Sequence, residues 1–173
     1  MAIVFQYGSN CSESEMNSDR RLRGDAKFVG IAQTVEDFAL AFDVWSKKRQ
    51  CAASDIVRVQ GSKVWGVLYE VPDDLIDRET AKAQGRKSFD EIEGEGANYK
   101  REMLDVRRPD GQVINALTYT VRSPRSGLKT SKEYVGFIVA GLREHGVSED
   151  YIAQVKAIAV ANNPQISEAV KKL

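Results

Sequence analysis

Lys63-Val64-Trp65-Gly66-Val67-Leu68-Tyr69-Glu70-Val71 decides the fold class of this 173-residue chain. Val64, Trp65, Val67, Leu68 and Tyr69 are nearly continuous, which predicts a strand buried on both faces, as in a central or barrel strand. Upstream, residues 55–60 are β-prone and are separated from this run by Gly61-Ser62. Glycine then serine between two such runs predicts a two-residue hairpin. Downstream, Pro72 stops the strand, and Asp73 is placed to cap a helix running to about residue 84.

Further out the same grammar continues. Residues 3–7 form a short apolar strand that ends at Gly8-Ser9-Asn10, three residues suited to tight turns. Residues 14–21 are polar and predict a short helix, and residues 28–32 a strand. Phe38, Leu40 and Phe42 alternate with Ala39 and Ala41, so their large side chains share one face of another strand. Residues 99–106 and 112–121 flank Pro109-Asp110-Gly111 and predict a second hairpin. Thr130 and Glu133 have capping-box spacing ahead of Tyr134, Ile138 and Leu142, and Gly146 ends that helix. Ser148 caps a second helix, with Tyr151, Val155 and Ile158 on its apolar face and Pro164 closing it. The expected architecture is α+β: one domain spanning residues 1–173, with a small mixed barrel-like sheet flanked by helices. A chain of this length buries a substantial core without needing metals or disulfides.

Composition excludes several roles. Lysine plus arginine equals aspartate plus glutamate, 25 against 25, whereas a nucleic-acid binder needs a basic excess or a dense basic patch. The clusters Arg20-Arg21-Arg23 and Lys47-Lys48-Arg49 read as solvated segments. Cys11, Cys51 and the single His145 have no metal-ligand spacing. His145 falls at a helix C-terminus, where a cation meets the dipole favourably. Trp45 and Trp65 read as core or rim packing. Ala2-Ile3-Val4-Phe5 is too short for a signal peptide and lacks a basic start. No apolar run has membrane-helix length. The expectation is a cytoplasmic protein with no nucleic-acid or membrane partner.

Two segments carry chemistry. In Tyr7-Gly8-Ser9-Asn10, glycine lets the chain turn sharply and aim successive N–H groups at a carboxylate or oxyanion, although most such turns only turn. In Asp90-Glu91-Ile92-Glu93-Gly94-Glu95-Gly96, four carboxylates lie within six residues. Like charges this close raise one another's pKa and suit one of them to act as a base, although a solvated acidic loop is the commoner role.

In this order, Phe5-Gln6-Tyr7-Gly8-Ser9-Asn10, Val64-Trp65-Gly66-Val67-Leu68-Tyr69, Phe89-Asp90-Glu91-Ile92-Glu93-Gly94 and Tyr99 resemble the motifs of the gamma-glutamylcyclotransferase family. The tail from Tyr134 to Ile158 is similar to its final helix pair, so the resemblance spans nearly the whole chain. It implies an enzyme that cleaves a gamma-glutamyl amide to 5-oxoproline and a free amine, with Glu93 as the catalytic proton-transfer residue. It further implies a substrate loop of Tyr7, Gly8, Ser9 and Asn10, wall residues Tyr99 and Tyr119, and Tyr134 as a further pocket residue. No cofactor and no metal are implied. A homodimer is implied by the resemblance alone. The alternatives are a related amidase or hydrolase, and a non-catalytic module binding a small molecule on the same fold. Cys11 stands where the family has leucine, Glu95 where a hydrophobic residue follows E-G, and residues 79–88 resemble an insertion. A carboxylate at Glu95 leads to the expectation of a cationic leaving amine.

Overall fold

Burial on both faces places the deciding run in the middle of the sheet. In the computed structural model, which describes residues 1–173, β5 (Trp65–Val71) is flanked by antiparallel β1 (Ala2–Gln6) and β2 (Lys27–Thr34). Val67, Leu68, Tyr69 and Val71 are wholly buried. Gly66 permits the close approach, because a Cβ there would lie 2.3 Å from the Gln6 carbonyl oxygen and 2.7 Å from the Phe5 ring. The hairpin around Pro109-Asp110-Gly111 forms as expected, joining β6 (Tyr99–Arg107) and β7 (Val113–Val121). β6 joins β2 through Gln33 and Thr34, and β7 meets β1 in parallel at Val4 and Leu117. The result is a closed mixed barrel in the order β1-β5-β2-β6-β7. Closure leaves its strands no free edge.

The remaining strands, β3 (Phe38–Ser46) and β4 (Cys51–Arg58), form a separate two-stranded ribbon. This corrects the expected hairpin between residues 55–60 and 63–71. Gly61 does turn, with φ of +81°, and its N–H donates to Asp37 at 2.8 Å. It passes the chain from ribbon to barrel instead, because both edges of β5 are occupied by β1 and β2. The ribbon is tied to the barrel by individual bonds. Val121 N–H donates to the Asp55 carboxylate at 2.9 Å, Arg125 N–H to Asp43 O at 2.8 Å, and Ala52 N–H to Lys129 O at 2.9 Å.

Helices surround this core. The polar stretch at 14–21 yields only α1 (Glu13–Met16). Asp73 opens a 3-10 turn, Asp73–Leu75, and the helix proper, α2 (Arg78–Ala83), is capped by Asp77, whose side chain accepts from Thr80 N–H. The acidic stretch is a one-turn helix, α3 (Phe89–Glu93), and not a solvated loop. The Ser88 hydroxyl accepts from Glu91 N–H, and Gly94 ends the turn in the left-handed conformation at φ of +72°. α4 (Lys132–Glu144) is capped by Ser131, not Thr130, because the Ser131 hydroxyl reaches Tyr134 N–H at 3.2 Å. α5 (Glu149–Asn162) is capped by Ser148 as expected, and α6 (Ser167–Lys171) follows Pro164.

Tyr134, Ile138 and Leu142 of α4 and Tyr151 and Val155 of α5 enter the core. α4 lies against a 3-10 turn, Ser9–Cys11, so closely that a Cβ on Gly141 would stand 2.3 Å from Ser12 N. His145, the C-cap of α4, stacks on Phe28 at 4.2 Å and meets the Tyr69 hydroxyl at 3.0 Å, a packing role. Cys11 and Cys51 are buried free thiols. No helix is long and apolar enough to cross a membrane.

Candidate active site

A cleft of about 750 Å³ opens where the barrel meets the ribbon. The catalytic and pocket residues that the family resemblance implies all line it. Tyr7 and Gly8 enter from the end of β1, and Ser9 and Asn10 from the 3-10 turn that follows. Glu93 enters from the end of α3, Tyr99 and Tyr119 from β6 and β7, and Tyr134 from the first turn of α4.

Sterics hold these segments together. A Cβ on Gly8 would lie 2.3 Å from the Ser54 hydroxyl, so β4 approaches the loop as closely as glycine allows. Ser54, absent from the sequence reading, organises the wall. Its hydroxyl lies 2.9 Å from the Tyr134 hydroxyl, its N–H donates to that same oxygen at 3.0 Å, and its carbonyl accepts from the Tyr99 hydroxyl at 2.7 Å. Nothing local in Ala52-Ala53-Ser54-Asp55 signals this, because the contacts come from elements more than 40 residues away.

Glu93 is half-buried and accepts a hydrogen bond from the Asn10 side-chain amide. Burial pushes its carboxyl above the ordinary glutamate range, while the Arg21 guanidinium and the Asn10 bond pull the other way. This corrects the expected cause: desolvation raises the pKa, not the neighbouring carboxylates. Burial likewise pushes the hydroxyls of Tyr7 and Tyr99 well above the ordinary tyrosine value. The Tyr119 hydroxyl is raised by burial and then by its bond to Asp90, and the Tyr134 hydroxyl by burial against the Ser54 bonds. The four phenols therefore stay protonated and act as hydrogen-bond donors, Tyr7 donating to the Tyr119 carbonyl.

Asp90 has a part that sequence reasoning did not assign. Its carboxylate accepts from Arg101 Nε at 3.0 Å, from the rest of that guanidinium, and from the Tyr119 hydroxyl at 2.6 Å. This clamp fastens α3, and so Glu93, to β6 and β7. The expectation built on Glu95 is overturned, because Glu95 does not line the cleft and its carbonyl accepts from Arg78 at 2.5 Å. The basic runs are largely solvated, as read, with Arg20, Arg23, Lys47 and Lys48 exposed and Arg21 and Arg49 half-buried, but most of them also border the cleft. Arg20 and Arg21 line the cleft, as do Lys47, Lys48 and Arg49 at the ribbon tip, while Arg23 does not. Trp45 lines the cleft beside them, and Trp65 packs on the core.

The AIG2-like family model matches residues 63–155, more than half of the chain. Three solved structures are similar. An uncharacterized protein from Homo sapiens is 25% identical with a TM-score of 0.74, covering 91% of this chain and 87% of its own. A gamma-glutamyl cyclotransferase is 23% identical with a TM-score of 0.74, covering 99% of each chain. An AIG2-like protein from Mus musculus is 22% identical with a TM-score of 0.52, covering 76% of this chain and 86% of its own. At these identities the last two likenesses concern the fold. No curated protein matches the chain in sequence.

Proposed function

This chain belongs to the AIG2-like family and shares the fold of a gamma-glutamyl cyclotransferase, and from that premise we propose that it cleaves gamma-glutamyl amides to 5-oxoproline and a free amine. The observation that carries the reading is Glu93, a half-buried carboxyl held by Asn10 in a cleft walled by Tyr7, Tyr99 and Tyr134.

The chemistry follows from those groups. The α-amine of a gamma-glutamyl amide attacks its own side-chain carbonyl carbon, forming a ring C–N bond as the bond to the leaving amine breaks. A held geometry gives such an intramolecular attack an effective molarity of roughly 10⁵ M or more. An ammonium has no lone pair for attack, so the Glu93 carboxylate first takes its proton. It returns a proton to the departing nitrogen, since an amine anion is a very poor leaving group. A carboxyl with a raised pKa suits both halves of this exchange, and the Arg21 guanidinium favours its ionised form. N–H groups of the Tyr7–Asn10 loop are suited to the substrate carboxylate or the developing oxyanion.

Incubation with gamma-glutamyl dipeptides and amines, followed by mass spectrometry, is expected to yield 5-oxoproline and the free amine. Free glutamate instead moves the assignment to a hydrolase, and neither product moves it to a binding module. In the same assay Gly8→Ala is expected to lower kcat/KM by roughly 10- to 100-fold, because its Cβ displaces Ser54 and the two tyrosines Ser54 holds. Retention of wild-type kcat/KM would mean that Ser54 does not set the wall.

A further inference from the structure

The formal charge of the chain is zero, yet the charge lining the cleft is strongly one-sided. Arg20 and Arg21 follow α1, and Lys47, Lys48 and Arg49 form the tip of the ribbon. Lys87, just ahead of α3, and Arg125, after β7, complete the rim. Against these seven cations the lining holds two carboxylates, Glu91 and Glu93. Segments separated in sequence by up to about a hundred residues therefore present one sign of charge to one opening.

The arrangement is held in place and incompletely neutralised. Arg49 reaches Glu15 at 2.5 Å and lies over the Phe137 ring at 4.3 Å. Arg21 is 3.6 Å from the same Glu15 oxygen, so one carboxylate serves two guanidiniums. The Arg21 side chain is only 12% exposed, and its Nη1 has no hydrogen-bond partner in the protein. Partial desolvation depresses the pKa of the exposed Lys48 ammonium, and Arg21 and Arg49 depress it further while Glu15 opposes them. A basic opening with low-dielectric walls concentrates anions. The single α-carboxylate of the glutamyl group does not account for a rim of this extent.

We propose that the rim is a subsite for leaving amines that carry two or more carboxylates, such as acidic amino acids or acidic peptides. This rests on the cyclotransferase reading and reverses the cationic preference expected from Glu95. The glutamyl end sits at Glu93 and the Tyr7–Asn10 loop, and the acidic leaving group extends across the rim toward Lys47 and Lys48.

The test compares kcat/KM for 5-oxoproline release from gamma-glutamyl-glutamate, gamma-glutamyl-alanine, gamma-glutamyl-ethylamide and the gamma-glutamyl isopeptide of lysine. It is run on wild type and on Lys47→Gln/Lys48→Gln, whose changes fall on exposed side chains and leave the core intact. Wild type is expected to favour gamma-glutamyl-glutamate over the ethylamide by at least about tenfold. The double variant is expected to lose most of that ratio, and added salt to compress it in wild type. Release of 5-oxoproline from every substrate with a ratio near one, or with lysine favoured, overturns the subsite and leaves the cyclotransferase reading standing. A ratio that the double variant leaves unchanged overturns it too. No 5-oxoproline from any substrate removes the cyclotransferase reading, and this inference falls with it.

Discussion

Glu93→Gln is expected to lower kcat for 5-oxoproline release by at least about 10²- to 10⁴-fold, the range of a lost general acid–base group. Glutamine keeps the shape of the side chain and an oxygen for the Asn10 amide, so the fold and substrate binding are expected to survive. Two pH measurements separate loss of the proton carrier from local damage. The acid limb of kcat/KM in wild type is expected above the ordinary glutamate range, because burial raises the Glu93 carboxyl pKa. Stability follows the same shift. An acid whose folded pKa lies above its unfolded value stabilises the fold fully only below the unfolded value, and that contribution is lost as pH rises through the folded value. At neutral pH the buried carboxylate is therefore a cost that glutamine removes. Glu93→Gln is expected to melt higher than wild type there and equally at about pH 4. An inactive variant that also melts lower at neutral pH would mean a misfolded site, and an active one would remove Glu93 from the mechanism.

Gly141→Ala is expected to be the most damaging small substitution in α4. Alanine is the better helix former by about 1 kcal/mol, so propensity alone predicts a gain. The added Cβ would stand 2.3 Å from Ser12 N, 2.6 Å from Cys11 C and 2.8 Å from Cys11 Cβ. Most of what it meets is backbone, so the helix and the 3-10 turn must part. Overpacking of this kind costs about 1–3 kcal/mol or more, a fall in Tm of roughly 2 to 12 °C for a chain of this size. Gly136→Ala, in the same helix, meets only Leu173 Cδ2 at 3.6 Å and is expected to stabilise slightly. Thermal melts of the pair isolate the contact from the propensity. Activity is expected to fall with the first only, since the turn it displaces carries Ser9 and Asn10.

The barrel was legible where burial is two-sided or where a turn is chemically marked. Val64–Val71 reads as a central strand because side chains on both its faces are buried, and Pro109-Asp110-Gly111 fixes the β6–β7 hairpin locally. Gly61-Ser62 misled because a turn signal names the bend and not the strands that pair. The competition for β5 is won by β1 and β2, the first of them more than 60 residues away in sequence. α3 was illegible as a helix because five residues carry too little periodicity, and only its Ser88 cap and Gly94 stop mark it. Of the site, the loop and Glu93 were visible as motif residues. Ser54, the Asp90 clamp and the basic rim were not, because each acquires its role from partners distant in sequence.

The ribbon formed by β3 and β4 stands outside the hydrogen-bonded closure of the barrel. Its tip, Lys47–Gln50, borders the opening but belongs to no strand of the barrel. Glu93 and three of the seven rim cations therefore reside on chain segments with different mutational freedom. Change within the barrel disturbs closure, core and chemistry together, whereas the exposed tip residues Lys47, Lys48 and Gln50 can change charge at little cost to any of them. Inheritance can act on the tip as a cassette, giving descendants new diets while the reaction they perform stays the same.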